Sequence, residues 1–432
     1  METVAVVGGG LAGSEAAWQL ASHGIRVHLF EMRPATSTPA HVTGELAEIV
    51  CSNSLGSDES GTGAALLKEE LRALGSLLLQ IADSVRVPAG KALAVDRALF
   101  GKKATEIITT HPLIEVHREE MKELPASPAI VATGPLTSDA MASQVQEFTG
   151  KQNLHFYDAS SPIVLGESIS LEKVFRASRY NRGNDYLNCP LNRDEYIAFR
   201  EALLGGELAS VRDFDKINFF EGCLPVEELA VRGEDTMRFG PLKPVGLVDP
   251  LTGRQPYAVV QLRQDDLAGE HFNIVGFQSR LTWGEQKRIF SMIPGLEHAE
   301  YVSHGKVHRN TYINAPACLG QMFESLKRPA LFIAGTLAGV EGYTECIASG
   351  LLSARCLIAR IENRPFDPPP STTAIGALSR YLQQADWKHF QPANFSFGLL
   401  DSLVKQIRAK DARRQALVER ARSDFAAWMP NP

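Results

Sequence analysis

The sequence predicts an α/β protein built on a Rossmann-like dinucleotide-binding domain, and three observations predict it. An N-terminal strand–turn–helix unit closes on an acid, a buried Ala-Thr-Gly strand lies near residue 130, and a second glycine-rich strand–helix junction follows residue 330. In the first, Val4-Ala5-Val6-Val7 runs into Gly8-Gly9-Gly10-Leu11-Ala12-Gly13, and the next apolar segment, Ile25 to Phe30, ends in Glu31. This is the fingerprint of a dinucleotide-binding βαβ unit. Gly8 permits the tight turn, Gly10 lets the backbone approach a pyrophosphate, and Gly13 lets the helix pack on the sheet. The helix starting near Leu11 offers free N–H groups and a positive dipole end to phosphates. Glu31 can accept a hydrogen bond from a ribose 2′-hydroxyl, which favours FAD or NAD over NADP.

The second and third observations separate FAD from NAD. Ala129-Ile130-Val131-Ala132-Thr133-Gly134 reads as a buried strand, and Leu331-Phe332-Ile333-Ala334-Gly335 as another, running through Gly339 and Gly342 into a helix from Tyr343 to Ile361. NAD alone needs no second junction of this kind, whereas two-part, glutathione-reductase-like FAD folds are assembled in this way. The dipole of the later helix would stabilise negative charge on a reduced flavin ring, with Gly335, Gly342, Tyr343 and Glu345 near the cofactor. The alternative for this segment is a plain buried βα turn.

At 432 residues the chain is long enough for two or three domains. Its 44% apolar and 22% charged residues describe an ordinary globular composition. The expected division is a discontinuous FAD-binding domain from 1–150 and 306–432, ending in a helical tail, with a mixed α/β insertion from 151–305. Apolar residues at 66, 67, 71, 74, 77 and 78 predict one amphipathic helix from Ala64 to Ile81. The first apolar segment breaks at three glycines rather than at a cleavage site, and no stretch is long enough to span a bilayer, so a cytoplasmic protein is expected.

A net charge of −6 argues against a protein coated with nucleic acid. Two basic clusters, Arg176/Arg179/Arg182 and the Lys and Arg residues between 405 and 422, could contact phosphates, although solvated helix faces have the same composition. The six cysteines contain neither a C-x-x-C pair nor a His/Cys metal spacing, so no metal and no disulfide frame is expected. Two of them sit in chemically suggestive places. Cys223 precedes Leu224 and Pro225 at an apparent helix start, where a dipole favours a thiolate. Cys51 lies beside Ser52, Asn53 and Ser54, whose donors could hold one. The alternative for each is a small buried hydrophobe.

Over essentially its full length the chain resembles the bacterial FAD- and folate-dependent tRNA (uracil-5-)-methyltransferases. The resemblance is carried by Cys51-Ser52-Asn53-Ser54-Leu55, Phe220-Glu221-Gly222-Cys223-Leu224-Pro225, Met237-Arg238-Phe239-Gly240-Pro241-Leu242-Lys243-Pro244, His308-Arg309-Asn310-Thr311, Glu341-Gly342-Tyr343 and Phe390-Gln391-Pro392-Ala393-Asn394-Phe395. Related flavoproteins that act at the tRNA wobble uridine share the fold but are longer.

The resemblance implies a substrate and a mechanism. A one-carbon unit from 5,10-methylenetetrahydrofolate would pass through reduced FAD to C5 of a T-loop uridine in tRNA, with NADH or NADPH as reductant. Cys223 would add to uracil C6, and Cys51 would serve as a base or guard the flavin. His308, Arg309 and Asn310 are the expected folate-side residues, with imidazole stacking on the pterin and guanidinium pairing with a carboxylate. A structural His-Arg pair in a loop is the alternative. The competing functions are an FAD oxidoreductase of small molecules and a tRNA-modification partner subunit.

Overall fold

A computed structural model describes residues 3–38, 40–150, 154–209, 219, 224–404 and 407–429. Its centre is a five-stranded parallel sheet in the order Leu331–Ile333, Ala129–Val131, Thr3–Val7, Arg26–Phe30, Ile114–His117. The strands are short apolar runs because both sheet faces are covered; Val4, Val6, Val27, Leu29, Ile130 and Phe332 have no solvent exposure. This is the predicted Rossmann-like layer. All three observations fall in it: the N-terminal strand is central, the Ala-Thr-Gly strand pairs beside it, and the late strand joins outside that one.

The helices Leu11–Ser22 and Tyr343–Ile361 follow the two glycine junctions and lie against each other. Small residues permit this. A Cβ added to Gly350 would stand 2.0 Å from the Ala12 carbonyl oxygen, and one on Gly13 would stand 1.8 Å from the Gly8 oxygen. Gly8 itself takes φ +99°, where a Cβ would meet the Ala132 oxygen at 2.5 Å, so glycine is required at the turn.

A second sheet of six antiparallel strands runs in the order Phe175–Arg176, Tyr186–Leu191, Ala258–Gln264, His271–Ile274, Ile163–Leu165, Tyr301–Ser303. It has its own core, which includes Tyr196, Phe199, Phe277 and Phe290. The antiparallel pair Leu154–Ala159 and Val307–Tyr312 leads into and out of this region and sets His308 opposite Asp158. No helix among the described residues is long and apolar enough to cross a membrane.

The helix expected from Ala64 to Ile81 is two helices, Gly63–Ala73 and Leu77–Ser84. Gly75 takes φ +76°, and Ser76 caps the second helix while donating to the buried Glu15 carboxylate. Glu15 also accepts from the N–H groups of Leu77 and Leu78. The apolar period runs unbroken across this joint, which is why periodicity alone reads one helix. The basic cluster at 176–182 is partly structural: Arg179 donates to the carbonyls of Lys243 and Val245, and Arg182 pairs with Glu59.

The close crossing makes one position critical. Gly350→Val should cost about 3 kcal/mol or more by forcing two helix backbones apart, read as a lowered melting temperature or loss of soluble protein. A variant with the parental melting temperature would mean that the helices are not held this closely.

Candidate functional site

The two junctions open onto one cavity of about 460 Å³. Gly8, Gly10, Leu11, Ala12, Glu31, Cys51, Thr133, Gly134, His308, Asn310, Gly335, Gly342, Tyr343 and Glu345, all singled out from the sequence, line it. Gly9 and Gly13 stand behind the wall: Gly9 N–H donates to Glu31 Oε2 at 2.8 Å, and Gly13 packs on the turn.

The glycines test whether a dinucleotide fits. A Cβ on Gly8, Gly9 or Gly13 would collide with the protein, but one on Gly10 would meet nothing within 4 Å. Nothing inside the chain therefore requires glycine at position 10. What the bare backbone permits is close approach from the cavity, at the start of a helix without a side-chain cap. The helix beginning at Tyr343 likewise has an uncapped start, at Gly342.

Glu31 is 5% exposed at the end of its strand. Its Oε1 accepts from both Nε and the backbone N–H of Arg33, at 2.8 and 3.0 Å, and Arg33 reaches on to Glu48 at 2.7 Å. Burial opposes ionisation of Glu31, but the hydrogen bond and charge of Arg33 outweigh it and hold the carboxyl below its usual range. Arg33, two residues past the fingerprint, belongs to no motif. It holds the acid ionised and oriented.

Cys51 lines the same cavity. Tyr343 Oη accepts from the backbone N–H groups of Cys51 and Ser52 at 2.9 and 3.1 Å, which ties the thiol's loop to the start of the late helix. The Cys51 thiol donates to Asp158 Oδ2 at 3.3 Å, and His308 Nε2 lies 4.0 Å from the sulfur and 3.9 Å from the same carboxylate. Burial lowers the pKa of His308, with Asp158 opposing.

The polar neighbours of Cys51 do something other than expected. Arg263 donates to Ser52 Oγ at 2.7 Å and to Asn53 Oδ1 at 2.8 Å, while Asn53 Nδ2 donates to the carbonyls of Val95 and Gln264. These groups are spent joining the loop to the six-stranded sheet and to the strand Ala92–Val95, and the sulfur is flanked instead by Asp158 and His308. Asp158 was not legible in the sequence: it is a lone acid on a strand, brought to Cys51 by pairing with His308.

Strand alternation separates the His-Arg-Asn segment. His308 and Asn310 face the first cavity, whereas Arg309 lines a neighbouring cavity of about 680 Å³ together with His155 and Thr311. His308 lines both. Cys223 lies outside the described residues. Glu341, quoted in the sequence only as part of a motif, also faces the first cavity. Burial, with Asp158 and Glu345 nearby, pushes its carboxyl up to about 8. Burial likewise raises Glu345 to about 6, against its hydrogen bond from the Phe395 N–H and the charge of Lys68.

Fold and site together define a Rossmann-like α/β protein with a two-part dinucleotide cavity and a thiol in its wall. Residues 3–365 match the family described as glucose inhibited division protein A. A Desulforudis audaxviator protein named methylenetetrahydrofolate–tRNA-(uracil-5-)-methyltransferase TrmFO is 54% identical over 99% of this chain and 98% of its own. A Desulfitobacterium hafniense protein of the same name is 52% identical over 98% and 97%. Aquifex aeolicus GidA superposes with a TM-score of 0.69 at 15% identity, covering 98% of this chain and 73% of that one, a likeness of fold. The chain belongs to the TrmFO family, within the broader glucose inhibited division protein A group.

Two measurements test this geometry. Asp158→Asn removes the anion beside the Cys51 sulfur, so alkylation of Cys51 by iodoacetamide at pH 7.5 should quicken several-fold; an unchanged or slower rate would separate Asp158 from the thiol. Raised carboxyl pKa values make the folded protein bind more protons than the unfolded chain. The stability due to Glu341 is thus fully present below about pH 4.5 and lost as pH rises through about 8. In ligand-free Glu341→Gln, the fall in melting temperature between pH 6 and 8 should flatten relative to the parent. An identical slope in both proteins would contradict the assignment.

Proposed function

We propose that this protein transfers a one-carbon unit from 5,10-methylenetetrahydrofolate to C5 of a T-loop uridine in tRNA, forming 5-methyluridine in a cavity that holds FAD. The observation that carries this reading is the Cys51 thiol set between Asp158 and His308 on the wall of the dinucleotide cavity. The reading as a small-molecule oxidoreductase assigns that thiol no role. The names of relatives at more than 50% identity point the same way.

The groups take these parts. The uncapped helix start at Gly10 and its bare backbone receive the pyrophosphate, and Glu31, held by Arg33, receives the ribose hydroxyls. Thr133, Gly134, Gly335, Gly342, Tyr343 and Glu345 surround the flavin end. Bound FAD supplies two reducing electrons and the relay for the one-carbon unit, with NADH or NADPH as reductant in a shared pocket. His308, standing between the two cavities, stacks on the pterin of folate, Asn310 lines its pocket, and Arg309 in the neighbouring cavity pairs with a glutamate carboxylate.

Uracil C5 is a poor nucleophile, and a thiolate adding to C6 pushes electron density onto C5. Cys223 takes this role, and Cys51 acts as base or guard beside the flavin, its proton shared with Asp158. The target base is stacked in folded tRNA and has to be flipped out to reach the site. The expected division of labour is an FAD domain from 1–150 and 306–432 with an insertion from 151–305 that meets the RNA.

The experiment supplies NADPH, unmodified tRNA transcript and folate labelled in its one-carbon group. Label should appear in a T-loop uridine without S-adenosylmethionine, and Cys223→Ala should retain FAD but transfer no label. A flavin-loaded, reducible parent that transfers none would leave an oxidoreductase or a tRNA-binding partner subunit.

A further inference from the structure

A third cavity, of about 420 Å³, lies on the antiparallel-sheet side of the Cys51 loop. It shares two wall residues, Ser52 and Gln278, with the dinucleotide cavity. Its walls divide by chemistry. Leu224, Leu229 and Pro241 offer apolar surface, while Arg263, Asn273 and Gln278 offer polar groups.

Two of these polar groups are buried in a way that packing does not explain. Asn273 is 2% exposed, and its Nδ2 has no hydrogen-bond partner. A buried amide donor without a partner costs roughly 1–3 kcal/mol. Arg263 is 7% exposed and lies directly across the strand pair from Asn273. Ser52 and Asn53 hold it, and neither is a carboxylate. A buried cation beside an unsatisfied donor makes a wall that calls for an acceptor-rich ligand edge.

We infer that this cavity receives the flipped pyrimidine, with Asn273 and Arg263 donating to a ring carbonyl and the apolar wall covering a ring face. The inference rests on the methyltransferase reading and deepens it by naming the base-binding subsite. The chemistry needs donors at that place. When a thiolate adds to C6, the new C–S bond sends the ring electron pair toward O4, and donors aimed there stabilise the enolate. The same donors discriminate between bases. Uracil presents a carbonyl at position 4, whereas cytosine presents an amino group that would leave Asn273 and Arg263 unpaired. The cavity adjoins the dinucleotide cavity through Ser52 and Gln278, so a base held here lies next to the space proposed for the one-carbon donor.

Asn273→Asp keeps the shape and reverses the polarity, and Asn273→Leu removes the polar group. Both should retain parental flavin content and unfold at or above the parental melting temperature, because each removes the unpaired buried donor, while kcat/KM for methyl transfer falls about 10- to 100-fold, mainly in kcat. Parental kcat/KM in Asn273→Leu overturns the inference. If the parent proves inactive in methyl transfer, that reading fails, and saturation-transfer NMR with uridine 5′-monophosphate and cytidine 5′-monophosphate judges the subsite alone. Uridine signal in the parent that disappears in Asn273→Leu, with none from cytidine, upholds it. Equal signals from both nucleotides, a signal unaffected by the substitution, or no uridine signal overturns it.

Discussion

The contact on which the site depends is the crossing of the helices Leu11–Ser22 and Tyr343–Ile361. Their backbones meet where Gly350 faces the Ala12 carbonyl, a distance that any larger residue would lengthen, and the turn at Gly335, before the late helix, packs on the Ala12 side chain. The early helix crosses at its second residue and the late helix two turns in, and their N-termini, more than 300 positions apart in sequence, open onto one cavity. Two fixed dipole ends in one enclosure suit a long ligand that is anionic in the middle and becomes anionic at one end.

From this crossing the thiol loop inherits its position. Tyr343 is the first residue of the late helix, and its hydroxyl oxygen accepts both N–H groups at the turn of Cys51 and Ser52. From the other side Arg263 holds Ser52 and Asn53, and from below Asp158 takes the thiol hydrogen. The loop is thus pinned by the parallel-sheet layer, the antiparallel sheet and the strand pair that links them. A rigid thiol amid three structural units contributes geometry that no single unit could supply.

How much of this is legible in the sequence depends on whether a residue acts through local pattern or through pairing. The glycine turns, the acid at Glu31 and the helix Tyr343–Ile361 are readable because steric demand and period act within a dozen residues. The break at Gly75 is missed because the apolar stripe continues through it, and the deciding partner, Glu15, is 61 positions away from Ser76. Asp158 and Arg33 carry no motif. One is chosen by strand register against His308, the other by reach to Glu31 and Glu48. The donors expected around Cys51 were the right types in the right place, but the sequence does not say which way they point.

The same distinction explains why the polar interior is arranged as it is. Glu31, Glu341 and Glu345 all border one cavity, and buried carboxylates cannot remain ionised without compensation. The protein resolves this by position. At the adenosine-binding end expected for the fold, Arg33 keeps Glu31 anionic. At the other end burial favours the protonated forms of Glu341 and Glu345, with Lys68 the cation behind Glu345. The cavity therefore carries an anion at Glu31 and, near neutral pH, a protonated acid at Glu341, which suits the cofactor orientation proposed above. Reversing the two ends would set a carboxylate against the charge of a reduced ring and leave the ribose facing acids that donate. The distribution of protons, as much as the fold, gives the cavity its direction.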